Sequence, residues 1–346
     1  MELSEAGTFF EAARRAFDHA AGSGSSQQRF MLAGQRLSLV LAAGHEVEAA
    51  NRYLSALAAR PAADEDGQAD ENLTLLLWSA EGTGVDLPTP DWRSSDHTIR
   101  GELPRFSDGR FKTSYNMQSR ALSAIDLQQG LALQCVRSFT DLPQYEWGAP
   151  LRDIIGWWLS ANSVQLVHAS AVSAFGKGAL LVGPGGSGKS TTAAQCLRHD
   201  ALSFIADDYC AVSLRNEPRI HPLFRTSKLC VVATQSIPGL GAGEFSDGTG
   251  KVLFRLVSAD IADDVPLRAI LMPEIVDADR SEILPAGKGQ AARRLMPSTL
   301  FQLPGSARME MALMGDLIRR VPAFRLRLGR DRGNLLATLT EHLRAR

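Results

Sequence analysis

The chain has few cysteines and gives them no pattern. Its four, Cys135, Cys196, Cys210 and Cys230, are scattered through 346 residues without a C-x-x-C pair. That excludes a zinc site built on cysteine pairs and a disulfide framework, and it predicts buried thiols in a reducing compartment. An excess of charge of either sign is missing too. Lys and Arg number 37 against 38 Asp and Glu, for a net charge of −1. Such a balance carries no signal for nucleic acid or an anionic membrane. No run is apolar enough to span a bilayer: the most apolar window, residues 154–172, is interrupted by Ser160, Asn162, Ser163, Gln165 and His168. The opening Met-Glu-Leu-Ser-Glu is acidic and lacks the apolar core of a secretory signal. A cytoplasmic protein is expected, with neither nucleic acid nor membrane among its partners. There is no internal repeat. With 45% hydrophobic and 22% charged residues, the composition is that of an ordinary globular protein. The length leaves room for about two domains.

One stretch stands out. Gly183-Pro184-Gly185-Gly186-Ser187-Gly188-Lys189-Ser190 fits G-x-x-x-x-G-K-[ST] at every fixed position, and Thr191 follows it. Residues 178–182, Gly-Ala-Leu-Leu-Val, read as a short buried strand, and Thr191 to Arg198 reads as a helix without Gly or Pro. Strand, glycine loop and helix make a phosphate cradle, because glycines let backbone N–H groups converge on an anion. Lys189 is placed to reach β- and γ-phosphates, and the Ser190 hydroxyl to ligate Mg²⁺. The sequence therefore predicts binding of a nucleoside triphosphate, ATP, with Mg²⁺.

Around this motif the chain divides. Glu2 to Ala21 has Phe9, Phe10, Ala13 and Phe17 at helical spacing. Arg29 to Leu41 alternates as a strand, Val47 to Ala59 reads as a helix, and Leu73 to Trp78 as a strand. A polar loop is expected over 61–71, a turn over 88–92, and further strands over 99–136. Residues 1–145 thus form an α+β module without a catalytic motif, available for substrate binding. Residues 146–346 form an α/β domain around the phosphate loop. Within it, Leu151 to Leu159 is a helix whose Trp157 and Trp158 serve core packing, and Gly239 to Gly250 is a glycine-rich loop for which a lid over substrate and an idle insertion are equal readings.

A cradle alone does not name a reaction. Asp207-Asp208 closes the apolar strand Leu202 to Ala206, a short helix after Lys189. Carboxylates there sit beside a phosphate loop. Phosphoryl transfer needs one carboxylate on the metal and another to receive the nucleophile's proton, and two adjacent residues point in different directions. His168 lies in an apolar segment, Leu-Val-His-Ala-Ser-Ala-Val, leading toward the same loop; packing or chemistry would both suit it. Arg225, Lys228, Lys251 and Arg255 are candidates to neutralise phosphate charge, with surface ion pairing as the alternative for each.

Strand histidine, phosphate loop and Asp-Asp pair, in that order, resemble the HPr kinase/phosphorylase superfamily, whose nucleotide site is related to that of ATP-dependent phosphoenolpyruvate carboxykinase. The resemblance implies a nucleotide-binding domain of that type with a mixed sheet. It implies that Asp207 is the general base toward a serine hydroxyl, that Asp208 and Ser190 serve Mg²⁺, and that His168 tunes the base. Over residues 72–330 a looser resemblance extends to HPr-kinase-related serine kinases of lasso-peptide clusters, some of which phosphorylate a C-terminal serine of a precursor peptide. The segments around Trp78 and Trp147-Gly148-Ala149-Pro150-Leu151 carry it. The chain departs from the bifunctional enzyme in lacking its downstream signature and its HPr-contacting segment. The expected function is a Mg·ATP-dependent serine kinase acting on a peptide or small protein. A kinase for a small hydroxylated metabolite and a non-catalytic nucleotide-binding regulator are the alternatives.

Overall fold

The computed structural model describes residues 4–62, 73–87, 96–234, 237, 240, 243–246, 250–257, 261–300 and 307–346. The loop expected over 61–71 falls largely outside them, as does the turn over 88–92 and much of the glycine-rich loop. The chain forms two compact units, the first running to Asn162 and the second from Ser163.

The first unit opens with α1 (Glu5–Ala21), capped by Ser4, whose hydroxyl accepts the Gly7 N–H. Its phenylalanines lie on one buried face, as their spacing predicts. Next come β1 (Ser26–Leu32) and β2 (Gln35–Ala42), where a single strand was expected. Ala33 and Gly34 both take positive φ, 50° and 73°, and fold the segment into an antiparallel hairpin. Then follow α2 (Val47–Leu54), β3 (Arg60–Pro61), β4 (Leu73–Ser79), α3 (Ala80–Thr83), β5 (Phe111–Asn116), β6 (Ala121–Asp126), β7 (Leu131–Val136), α4 (Gln144–Gly148) and α5 (Arg152–Ala161). The strands form one mixed sheet in the order β3-β1-β2-β4-β7-β6-β5, with β2, β4 and β7 parallel. Phe9, Phe10 and Phe17 pack with Trp78, Leu133 and Cys135; each buried aromatic of this kind contributes about 2 kcal/mol. Helix α5 belongs to this unit. Leu151 N–H donates to Tyr53 Oη at 3.0 Å and Ser114 Oγ to Asp153 Oδ2 at 2.9 Å. The boundary thus falls after Asn162 instead of after residue 145, because these bonds join the tryptophan-rich helix to the module before it.

The second unit runs β8 (Val164–Val167), β9 (Ser170–Ala174), β10 (Lys177–Leu181), α6 (Lys189–Gln195), β11 (Ser203–Ala206), β12 (Cys210–Ser213), β13 (Arg219–Pro222), β14 (Thr226–Cys230), α7 (Val231–Thr234), β15 (Phe245–Ser246), β16 (Lys251–Arg255), β17 (Val265–Ile275), β18 (Glu282–Ala286), α8 (Lys288–Leu300), α9 (Ala307–Arg320), β19 (Ala323–Leu328) and α10 (Arg332–Arg344). Its main sheet has the order β11-β9-β10-β17-β13-β12-β8, with β19 and β18 continuing beside β17. Strands β10, β17 and β19 are mutually parallel and the other pairings antiparallel. Side chains alternate across it. Ala179, Leu181, Ala269 and Leu271 face a core closed by Ala193 of α6 and Leu339 of α10. Leu180, Val182, Ile270 and Met272 face one closed by Leu295 of α8 and Leu317 of α9. A strand buried on both faces reads as the unbroken apolar run seen before Gly183. A small antiparallel sheet, β14-β16-β15, stands apart. The architecture is mixed α/β.

Of the cysteines, Cys135, Cys196 and Cys210 are buried and Cys230 is exposed, against the expectation that all four are interior. It ends β14 beside Lys251, on the outward side of the small sheet. Among the described residues no helix is long and apolar enough to cross a membrane.

Candidate active site

The glycine loop leaves the sheet at the carboxyl end of β10. Val182 N–H still bonds Leu271 O at 2.9 Å, holding the strand straight up to Gly183. Pro184, Gly185 and Gly186 form the exposed tip. Gly188 has φ 99° and caps α6; a Cβ there would stand 2.5 Å from Leu328 Cδ1. The backbone conformation favours glycine, and an added Cβ would also displace the Leu328 side chain. Lys189 is buried, and its Nζ donates to Gly183 O at 2.7 Å and Pro184 O at 3.0 Å. Burial pushes the Lys189 pKa down against the opposing charges of Asp207 and Asp208. Ser190 and Thr191 follow, half-buried, in the first turn of α6, which begins two residues before the expected start because Gly188 turns the chain into it. The Ser187 Oγ is buried with no hydrogen-bond partner among the described residues.

Beside this loop the sheet forks. β8 pairs with β12, with Val167 opposite Cys210; β9 pairs with β11, with Ala171 opposite Ala206. Two antiparallel segments therefore cross together from one part of the sheet to the other. The residues at the crossing are 168–170 on one segment and 207–209 on the other. His168 accordingly lies in the short connection between β8 and β9 and not within a strand. Strands that separate leave backbone and side chains free to build a site.

The two aspartates have opposite surroundings. Asp207 is 1% exposed. Its Oδ1 accepts from Ser170 Oγ at 2.6 Å, and its Oδ2 from Ser227 Oγ at 2.8 Å and the Lys228 N–H at 3.1 Å. Burial pushes its pKa up, the Asp208 charge adds to this, and the hydroxyls of Ser170, Ser190 and Ser227 oppose it. Asp208 takes a left-handed conformation, φ 61°, which turns its half-exposed side chain away from its neighbour. Its Oδ1 lies 3.8 Å from His168 Nε2 and its Oδ2 3.9 Å from Lys228 Nζ. Partial burial would raise its pKa, but the nearby His168 ring and the charges of Lys228 and Lys251 hold it below the ordinary value. The His168 ring packs on Tyr209, centroids 5.3 Å apart, and its backbone N–H donates to Thr299 Oγ1 at 3.2 Å.

Lys189, Ser190, Asp207, Asp208 and His168 thus belong to one neighbourhood. So do Lys228 and Lys251, whereas Arg255 is taken by Glu244 through bonds of about 3.1 Å. Burial lowers the Arg225 pKa. Sequence reasoning missed Ser170 and Ser227, which hold Asp207. Ser170 comes two residues after His168, and Ser227 lies inside the Arg-Thr-Ser-Lys segment, but no spacing links either to Asp207. Among the described residues no three His, Cys, Asp or Glu side chains cluster to hold a metal. Ser190 and the aspartates nevertheless offer the hard oxygen donors that suit Mg²⁺, which takes one or two protein ligands along with phosphate oxygens and water.

Fold and site together define a mixed α/β protein with a strand–glycine loop–helix cradle beside a forked sheet. No protein-family model matches the chain, and no curated protein does. Among solved structures it is similar to the Hpr(Ser) kinase/phosphatase from Coxiella burnetii, at 10% identity and a TM-score of 0.26, over 52% of this chain and 96% of that one. A likeness that weak says nothing about chemistry.

Proposed function

We propose that the chain is a Mg·ATP-dependent kinase that phosphorylates a serine hydroxyl on a peptide or small protein. The observation that carries this is the pair of neighbouring carboxylates, one interior and one outward, beside a complete glycine loop and its lysine. In transfer, the acceptor oxygen forms a bond to the γ-phosphorus as the bond to the β,γ-bridging oxygen breaks, ADP leaves, and the hydroxyl proton must go to a base.

We assign that base to Asp208, where the family resemblance implies Asp207. A base needs a free lone pair facing the acceptor. Asp208 is half-exposed, whereas both oxygens of Asp207 are engaged in the interior. Asp207, beside the Ser190 hydroxyl, suits a supporting role on the metal side, where Ser190 itself would ligate Mg²⁺. Bound Mg²⁺ would neutralise developing phosphate charge. Lys189 and the loop amides would bind and orient the phosphates, and His168 with Lys228 would keep Asp208 ionised. The resemblance of residues 72–330 to peptide-modifying serine kinases favours a peptide acceptor over a metabolite.

Intact-mass spectrometry after incubation with Mg·ATP tests this, using HPr, a peptide with a C-terminal serine, and free serine as acceptors. A gain of one phosphate on the peptide alone is expected. A gain on HPr or free serine with none on the peptide would overturn the substrate class. No transfer to any acceptor, with ATP still bound, would favour a non-catalytic nucleotide-binding regulator.

A further inference from the structure

The loop after β10 has two flanks. On one lie β9 and β11, whose ends carry Ser170, Asp207 and Asp208; on the other lie β17 and β19. With the transferred phosphate at Asp208, the opposite flank is open to the rest of the nucleotide across the loop. That flank is where the parallel strands β17 and β19 end, and ligands of open α/β sheets bind outside such carboxyl ends.

The residue waiting there is Ile275. It is the last residue of β17, opposite Leu328, the last of β19. Both border the phosphate loop: a Cβ on Gly188 would lie 2.5 Å from Leu328 Cδ1 and 3.9 Å from Ile275 Cγ1. Yet Ile275 is 71% exposed. Single exposed aliphatic side chains are ordinary on protein surfaces, but this one abuts the cradle. The segments that follow the two strands are tied together. Val276 N–H bonds Leu328 O at 3.1 Å, Arg330 N–H bonds Ala278 O at 3.0 Å, and Asp331 N–H bonds Asp279 O at 2.9 Å. They form a braced ledge with an aliphatic surface at its inner end.

We propose that Ile275 is the platform on which the base of the bound nucleoside triphosphate lies. This rests on the nucleotide-binding reading above. A planar heterocycle covering Ile275 removes apolar area from water that a bare polyphosphate leaves exposed. The site thereby separates recognition of the nucleoside, on the β17–β19 flank, from phosphate chemistry on the β9–β11 flank.

Calorimetric titration with Mg·ATP and with Mg·tripolyphosphate, which has no base, tests it on the full chain. Wild type should bind ATP more tightly than tripolyphosphate. Ile275→Ala and Ile275→Asn, neutral changes at an exposed position, should weaken ATP about fivefold while leaving tripolyphosphate unchanged. Ile99→Glu, an exposed site in the first unit, should alter neither. Equal losses for both ligands, or no loss of ATP affinity in either Ile275 variant, would overturn the proposal with the phosphate cradle intact. A wild-type chain that binds neither ligand would overturn the cradle itself, and this proposal with it.

Discussion

Asp207 and Asp208 share a dipeptide and little else. The left-handed φ of Asp208 swings its carboxylate outward, while the Asp207 carboxylate is buried. Substituting each should therefore fail differently. Asp208→Asn should lower the transfer rate by on the order of 10²- to 10⁴-fold, the range for loss of a general base, with Mg·ATP affinity nearly unchanged by calorimetry. Asp207→Asn should unfold earlier in denaturant by roughly 1–3 kcal/mol, since an amide nitrogen would face hydroxyl and N–H groups that need an acceptor. A near-normal rate in Asp208→Asn would return the base to Asp207 or His168. Lys189→Ala should weaken Mg·ATP binding; equal affinity in both forms would remove the phosphate loop from the site. At this scale the sequence disclosed the chemical groups but not their orientation. A positive φ at a non-glycine residue follows from tertiary packing, and the hydroxyls that hold Asp207 come from β9 and β14, distant in the chain.

Elements with strong local signals were legible. Helix α1 declared itself through its phenylalanine spacing, and β10 through an apolar run ending in glycine. The β1–β2 hairpin was not legible, because Ala33 occupies a turn position where sequence rules look for Asn or Gly. Nor was β14, where Lys228 stands out as a candidate for phosphate charge but nothing marks Ser227. The glycine loop lets element geometry be tested directly. Gly188→Ala forces a side chain into φ 99° and against Leu328. It should cost on the order of 1–3 kcal/mol in denaturant unfolding and weaken Mg·ATP binding. Gly185→Ala, where an added Cβ meets nothing within 4 Å, should unfold like wild type. Leu328→Ala in the Gly188→Ala background should recover part of the lost stability, the part due to contact and not to backbone strain. Equal stability of Gly188→Ala and Gly185→Ala would show that the loop does not hold this conformation.

Across the whole molecule, unfolding should carry a pH signature from the first unit, from a residue outside the phosphate site. Glu146 of α4 is buried beside a small polar cavity lined by Asn116, Ser123, Gln134, Arg152 and Asp153. Burial pushes its pKa to about 7 from the ordinary 4.5; Asp153 adds to the rise, and the Arg152 charge only partly offsets it. The unfolded chain releases this proton near pH 4.5, the folded chain near pH 7. Between those values the folded state binds more protons, so stability falls as pH rises. The contribution is fully present below about pH 4.5 and is lost as pH passes through about 7, with a magnitude on the order of 3 kcal/mol. Glu146→Gln stays neutral at every pH and should flatten this part of the profile while leaving the rest unchanged. The measurement is denaturant unfolding at a series of pH values from 4 to 8, on wild type and variant. Parallel profiles would show that Glu146 ionises normally in the folded chain, as it would if water or a cation reached the cavity beneath α5.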